Sequence, residues 1–131
     1  MGVPKETSAS IEIPVNPDLA WRALTTAAGA STEPPVWHLE HAALTLDTFS
    51  PAEAAGGYGA WNGVEYRVSA HLVPRGARQT LVVLTAESDV EPHGIAGAAR
   101  AARSRRQVRR DLEALAAAVG EQVAGWSTTA G

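Results

Sequence analysis

The residues able to do chemistry in this 131-residue chain are few: four histidines, four tryptophans, a scatter of carboxylates and no cysteine. The missing thiols exclude disulfides, thiolate metal sites and cysteine nucleophiles together. His38 and His41 invite a metal reading, but residues three apart on a strand point to opposite faces. With no third ligand evident, neither a metal nor a cofactor is expected. His41 is the better acid/base candidate. On a regular strand it shares a face with Trp37, Leu39, Ala43 and Asp47, and imidazole titrates near neutrality. Asp47 adds a carboxylate that could move a proton.

A third candidate lies in AARSRRQVRRDLEALAAAVG, residues 101 to 120. At about 100° per residue, a helix places Gly97, Ala101, Ser104, Val108, Leu112, Leu115, Val119 and Val123 on one arc. Arg105 falls beside Ala101 and Val108. An arginine drawn into an apolar surface needs a carboxylate partner or an anionic ligand unless its head snorkels to the rim. Arg103, Arg106 and Arg110 fall opposite the arc and read as a solvated face. Small residues at the arc's N-terminal half leave space where Leu and Val fill it further on. A cavity bordered by Ala101, Ser104 and Val108 is therefore expected, with Trp37, Trp61 and Tyr66 as walls that stack on a planar ligand. Trp21 is assigned to the core.

These groups must be positioned by a small number of elements. Residues 7 to 15 alternate as a half-buried strand. Asn16, Pro17 and Asp18 then supply an N-cap, a first helical position and an acidic first turn, for a helix that Gly29 ends. Residues 36 to 48 read as one strand or two short ones, broken by SPAEAAGG over 50 to 57. The glycine-rich GGYGAWNGV, 56 to 64, lacks a phosphate-binding context and reads as a mobile turn or cavity gate. Residues 64 to 72 alternate clearly, 74 to 76 turn, and 78 to 88 return as an antiparallel strand. The final helix spans about 94 to 124, and residues 125 to 131 read as a frayed tail.

Composition bounds the partners. Eleven Lys and Arg stand against fourteen Asp and Glu, a formal net charge of −3, so the arginine cluster is local and nucleic acid is not an expected partner. No run approaches the roughly 20 apolar residues of a membrane span, and no secretory leader is evident, which points to a cytoplasmic protein of one domain, residues 1–131. An exposed strand edge leaves a homodimer open.

The opening IEIPVNPDLAWRALT, 11 to 25, resembles the start of the SRPBCC or START-like superfamily, which includes polyketide cyclases and Bet v 1 relatives. Pro17, Asp18, Ala20, Trp21 and Leu24 occupy its strand-proline-acid-helix pattern. RRDLEALAAAV, 109 to 119, is similar to its long closing helix. The resemblance implies an α+β helix-grip fold, a curved antiparallel β-sheet wrapped around a long C-terminal α-helix, with an apolar cavity for a hydrophobic small molecule. It carries over no catalytic residue. Two functions are expected: a cyclase or dehydratase of polyketide-like natural-product metabolism, using His41, Asp47 and Arg105, or a non-catalytic carrier or sensor. A co-chaperone-like module, which the superfamily also contains, is a weaker third.

Overall fold

Period-two alternation builds the sheet, and the computed structural model, which describes residues 6–32, 35–88 and 93–129, shows it as seven antiparallel strands. They are β1 (Glu6–Ile13), β2 (Ser31–Thr32), β3 (Pro35–His38), β4 (Ala43–Ser50), β5 (Ala54–Trp61), β6 (Val64–Gly76) and β7 (Gln79–Glu87). Their order is β1-β7-β6-β5-β4-β3-β2, so the first strand closes against the last. The described residues also form two helices, α1 (Pro17–Ala27) and α2 (Gly94–Thr129). The expected α+β helix-grip is present: the open curved sheet holds α2, which packs on β1, β5, β6 and β7, with α1 against α2.

Val64, Tyr66, Val68, Ala70 and Leu72 are buried on β6 as their alternation requires, and Val82, Leu84 and Ala86 continue that face on β7. From α2, Val108, Leu112, Leu115, Val119 and Val123 belong to the same buried core. Each large apolar side chain so buried contributes about 1.5–3 kcal/mol. α1 begins as its sequence requires: the Asn16 side chain accepts the Leu19 N–H at 3.0 Å and Pro17 sits in the first turn. Gly29, at φ +58°, lies just beyond its C-cap, Ala28.

The middle of the chain departs from expectation, and glycine is the reason. The break at 50 to 57 contracts to a turn at residues 51–53, and GGYGAW is the body of β5 rather than a gate. A Cβ on Gly57 would lie 2.2 Å from the Thr45 carbonyl oxygen, and one on Gly59 would lie 2.8 Å from Leu44 Cδ2. These glycines let β4 approach closely and leave room for Leu44 and Trp61. The true turn is Asn62-Gly63, both at positive φ (51° and 79°), the two-residue hairpin connection that suits sheet twist. β6 also runs past the expected turn, through Pro74 to Gly76. The segment 36 to 48 is two strands joined by a tight hairpin at 39–42, where the Leu39 N–H reaches the Ala42 carbonyl.

Candidate functional site

The β3–β4 hairpin brings its tip to the middle of α2. There the carboxylate of Asp111 is buried, its side chain fully excluded from solvent, and it is surrounded by N–H donors. Its Oδ1 lies 2.5 Å from His41 Nδ1. Its Oδ2 accepts the His41 main-chain N–H at 2.9 Å and the Trp61 Nε1–H at 2.8 Å. The burial of this anion is offset by those three bonds. They also tie three elements together: the hairpin tip, the end of β5 and α2.

The hydrogen bond that His41 makes to Asp111, followed by the charge of that carboxylate, raises the His41 pKa above the ordinary 6.5. Glu40 adds to this and Arg110 opposes it. With Nδ1 engaged on Asp111, Nε2 is the ring nitrogen left for other work, on a side chain about one third exposed. Oxygens of Glu40 and Asp111 and an imidazole nitrogen of His41 lie within 4.8 Å of one another. Both Asp111 oxygens are already engaged, so this is a hydrogen-bonded cluster as it stands.

The other expected site residues scatter. The common face proposed for Trp37, Leu39, His41, Ala43 and Asp47 does not form, because the hairpin turn shifts the strand parity: Trp37 pairs with Leu44 and is buried, whereas Ala43 and Asp47 are exposed. Asp47 points outward and pairs with Arg67, Oδ2 to Nη1 at 2.5 Å and Oδ1 to Nη2 at 2.8 Å. That guanidinium holds the Asp47 carboxyl below the usual carboxylate range. Arg105 is half-buried on the flank of α2.

Trp61 and Tyr66 are core residues, with rings edge-on at 5.6 Å and 90°. The Tyr66 and Ser104 hydroxyls are hydrogen-bonded at 2.8 Å, and Ser104 also donates to the Ala101 carbonyl. The space that Ala101 and Ser104 leave on α2 is thus taken by Tyr66 from the sheet. Val108 is buried beside them. Of the expected ligand-stacking residues, Trp37 alone lines a groove at the edge of the sheet.

That groove, of about 550 Å³, opens between the end of α1 and the β2–β3–β4 edge of the sheet. Trp21, Trp37 and Phe49 form its aromatic walls, Leu46 and Pro35 its aliphatic surface, and Thr25, Thr26 and Ser31 its hydroxyls. Trp21 and Trp37 meet edge to face at 6.3 Å and 61°. Trp21, assigned to the core from sequence, is half-buried and shared between core and groove. Phe49 remains 56 % exposed at the mouth. No described residue lining this groove carries an acid or base.

Asp111 is the site residue that sequence reasoning missed. It lies on the other flank of the arc that drew attention to Arg105, between Arg110 and the buried Leu112. A carboxylate facing inward on a packing helix was the available signal. Its partners, 70 and 50 residues away, were not legible.

No family sequence model matches the chain and no curated protein matches it. Solved structures do. Norcoclaurine synthase of Thalictrum flavum, as a point mutant, is similar with TM-score 0.66 at 14% identity, over 95% of this chain and 97% of that one. The Zhui aromatase/cyclase of Streptomyces sp. R1128 gives 0.58 at 15% identity, over 92% and 94%. A START superfamily protein of Mycobacterium smegmatis gives 0.57 at 15% identity, over 92% and 98%. At such identities the likeness is one of fold. Among the described residues, no helix is long and apolar enough to cross a membrane.

Proposed function

Taking the SRPBCC/START-like fold as premise, we propose that this chain is a carrier or sensor that holds one uncharged, apolar small molecule in the groove between α1 and the β2–β4 edge. The observation that carries this reading is the groove's lining: three aromatic side chains, aliphatic surface and hydroxyls, without a titratable side chain among the described residues. Its volume of about 550 Å³ falls in the range of small-molecule sites. Such a lining binds by apolar burial and aromatic contact, with Thr25, Thr26 and Ser31 able to orient a hydroxyl or carbonyl. Its described residues supply no group to take or give a proton in a bond-making step. The exposed Phe49 ring gains cover when a ligand fills the mouth.

A second reading rests on a specific observation, the His41–Asp111 pair. A buried carboxylate that fixes Nδ1 orients the imidazole and raises its basicity, the arrangement that a general base requires. In this reading the chain is a cyclase or dehydratase of polyketide-like metabolism. His41 moves the proton, Arg105 faces a developing oxyanion, and the fold's likeness to an aromatase/cyclase lends support. Asp47 is the weaker candidate for the proton, because Arg67 already holds its charge. The binding reading is preferred because neither His41 nor Asp111 lines the groove.

The test incubates catalytic amounts of protein with a metabolite extract, then applies mass spectrometry to the small molecules and to the intact protein under native conditions. One unchanged ligand retained per protein supports a carrier or sensor. A metabolite consumed in many-fold excess, giving a product of equal mass or one water less, supports the enzyme.

A further inference from the structure

α2 is 36 residues long, and its outer face carries charge in blocks. From Gly94 to Arg110 it contains Arg100, Arg103, Arg105, Arg106, Arg109 and Arg110 and no acid, whereas the remaining five cations are set among all fourteen acids of the chain. Along the outward seam, at alternating spacings of three and four, lie Arg103, Arg106, Arg110, Glu113 and Ala117, followed by Glu121, all of them exposed. Helical residues at that spacing share one face.

We propose that this seam is a homodimer interface, on which α2 of a second copy of the chain packs antiparallel about a twofold axis near residue 112. The register follows from the charges. Arg110 and Glu113 are centred on the same point of the helix as Arg103 and Glu121, to within one residue. A single antiparallel pairing therefore sets Arg110 against the partner's Glu113 and Arg103 against the partner's Glu121, with both pairs repeated by symmetry. Arg106 then faces the partner's Ala117, a small residue over which its methylene stem can lie.

The seam from Arg103 to Glu121 is about 27 Å long, at 1.5 Å per residue. Because the contact is isologous it closes at two copies and does not propagate into a filament. Exposed ion pairs are individually weak and screened by salt, so the dimer is a weak one that dissociates as ionic strength rises. Two other occupants compete on paper. A phosphate backbone would be drawn to the arginines but repelled by the acidic remainder of the chain, and no aromatic residue stands among the arginines. An anionic membrane would find no large apolar residue on the stretch from residue 98 to 107.

The test is sedimentation equilibrium of the intact chain over a concentration series, at low salt and in about 1 M sodium chloride. The expected result is a mass that rises toward twice 13.6 kDa with concentration at low salt and stays at 13.6 kDa in high salt. A charge exchange then assigns the surface. The variants Arg103→Glu/Arg110→Glu and Glu113→Arg/Glu121→Arg each set like charges against like in their own homodimers, and each is expected to be monomeric. Mixed in equal amounts they present opposite charges at all four pairs and should form a one-to-one heterodimer. Circular dichroism on each variant alone verifies that α2 is intact before mixing. A monomeric wild type at every concentration overturns the proposal and leaves the arginine seam to a partner of other chemistry. Folded variants that both remain dimeric overturn it as well, and place any dimer on a different surface.

Discussion

Replacing Asp111 with alanine removes the acceptor for three N–H groups at once. The Trp61 indole N–H is fully buried and the main-chain N–H of His41 is partly so. A buried donor left unpaired costs about 1–3 kcal/mol, so the indole contributes near the middle of that range and the His41 amide near its lower end, about 2–4 kcal/mol in all. For 131 residues the unfolding entropy near 60 °C is about 0.28 kcal/mol/K, which converts this loss into a fall in Tm of about 7–14 °C. Urea denaturation followed by tryptophan fluorescence and calorimetry would measure it. A double-mutant cycle isolates the cause, because Trp61→Phe deletes the indole donor and should reduce the cost of Asp111→Ala by about 1–2 kcal/mol. Asp111→Asn keeps an acceptor for the two Oδ2 donors and should cost clearly less than alanine. An Asp111→Ala variant within about 0.5 kcal/mol of wild type would show that the three bonds to Asp111 do not hold these elements together, since surface substitutions typically fall in that range.

Other outcomes follow from the same geometry. The folded-state pKa of His41 is raised, so its contribution to stability is complete below 6.5 and is lost as pH rises through the raised value; denaturation of wild type and His41→Gln from pH 5.5 upward should show that difference shrinking, and a growing difference would contradict it. Gly57→Ala should destabilise by about 1–3 kcal/mol or more by driving β4 from β5, whereas Gly76→Ala, where an added Cβ meets nothing within 4 Å, should stay within about 0.5 kcal/mol in the same assay. Tyr66→Phe should lose about 0.5–1.5 kcal/mol with the Ser104 bond, read by calorimetry. Phe49→Ser should weaken ligand binding by about tenfold in a fluorescence titration, at little cost in Tm, because the ring is more than half exposed without ligand.

The ends of the chain were legible because their signals are local. Asn16-Pro17-Asp18 marks a helix start by its own chemistry, and the arc from Ser104 to Val123 is a periodicity within one element. Asn62-Gly63 is an equally local turn signal, masked by the surrounding glycines, which read as a loop. The glycines of β5 serve close approach between strands, which depends on what Thr45 and Leu44 do across the ladder and is invisible in the stretch itself. Strand alternation groups His41 with Trp37 and Asp47, whereas in the structure it is held by Asp111, an acceptor it shares with Trp61. A two-residue period cannot anticipate a hairpin at 39–42 or a bulge at Asp47, and either one inverts the faces that follow it. The groove arises where α1 meets three edge strands, so no single stretch of sequence announces it.

If the Trp21–Trp37–Phe49 groove binds an uncharged apolar molecule without transforming it, binding must be visible at its own side chains. The most direct measurement is a titration of isotopically labelled protein with 2-naphthol near neutral pH, followed by nuclear magnetic resonance of the indole N–H groups, the His41 ring and the ligand itself. Saturable shifts are expected at the Trp21 and Trp37 indoles, with Trp61 and His41 still and the ligand recovered unchanged. Shifts centred on His41 and Trp61, with Trp21 and Trp37 silent, would contradict it and move the working site to the Asp111 cluster.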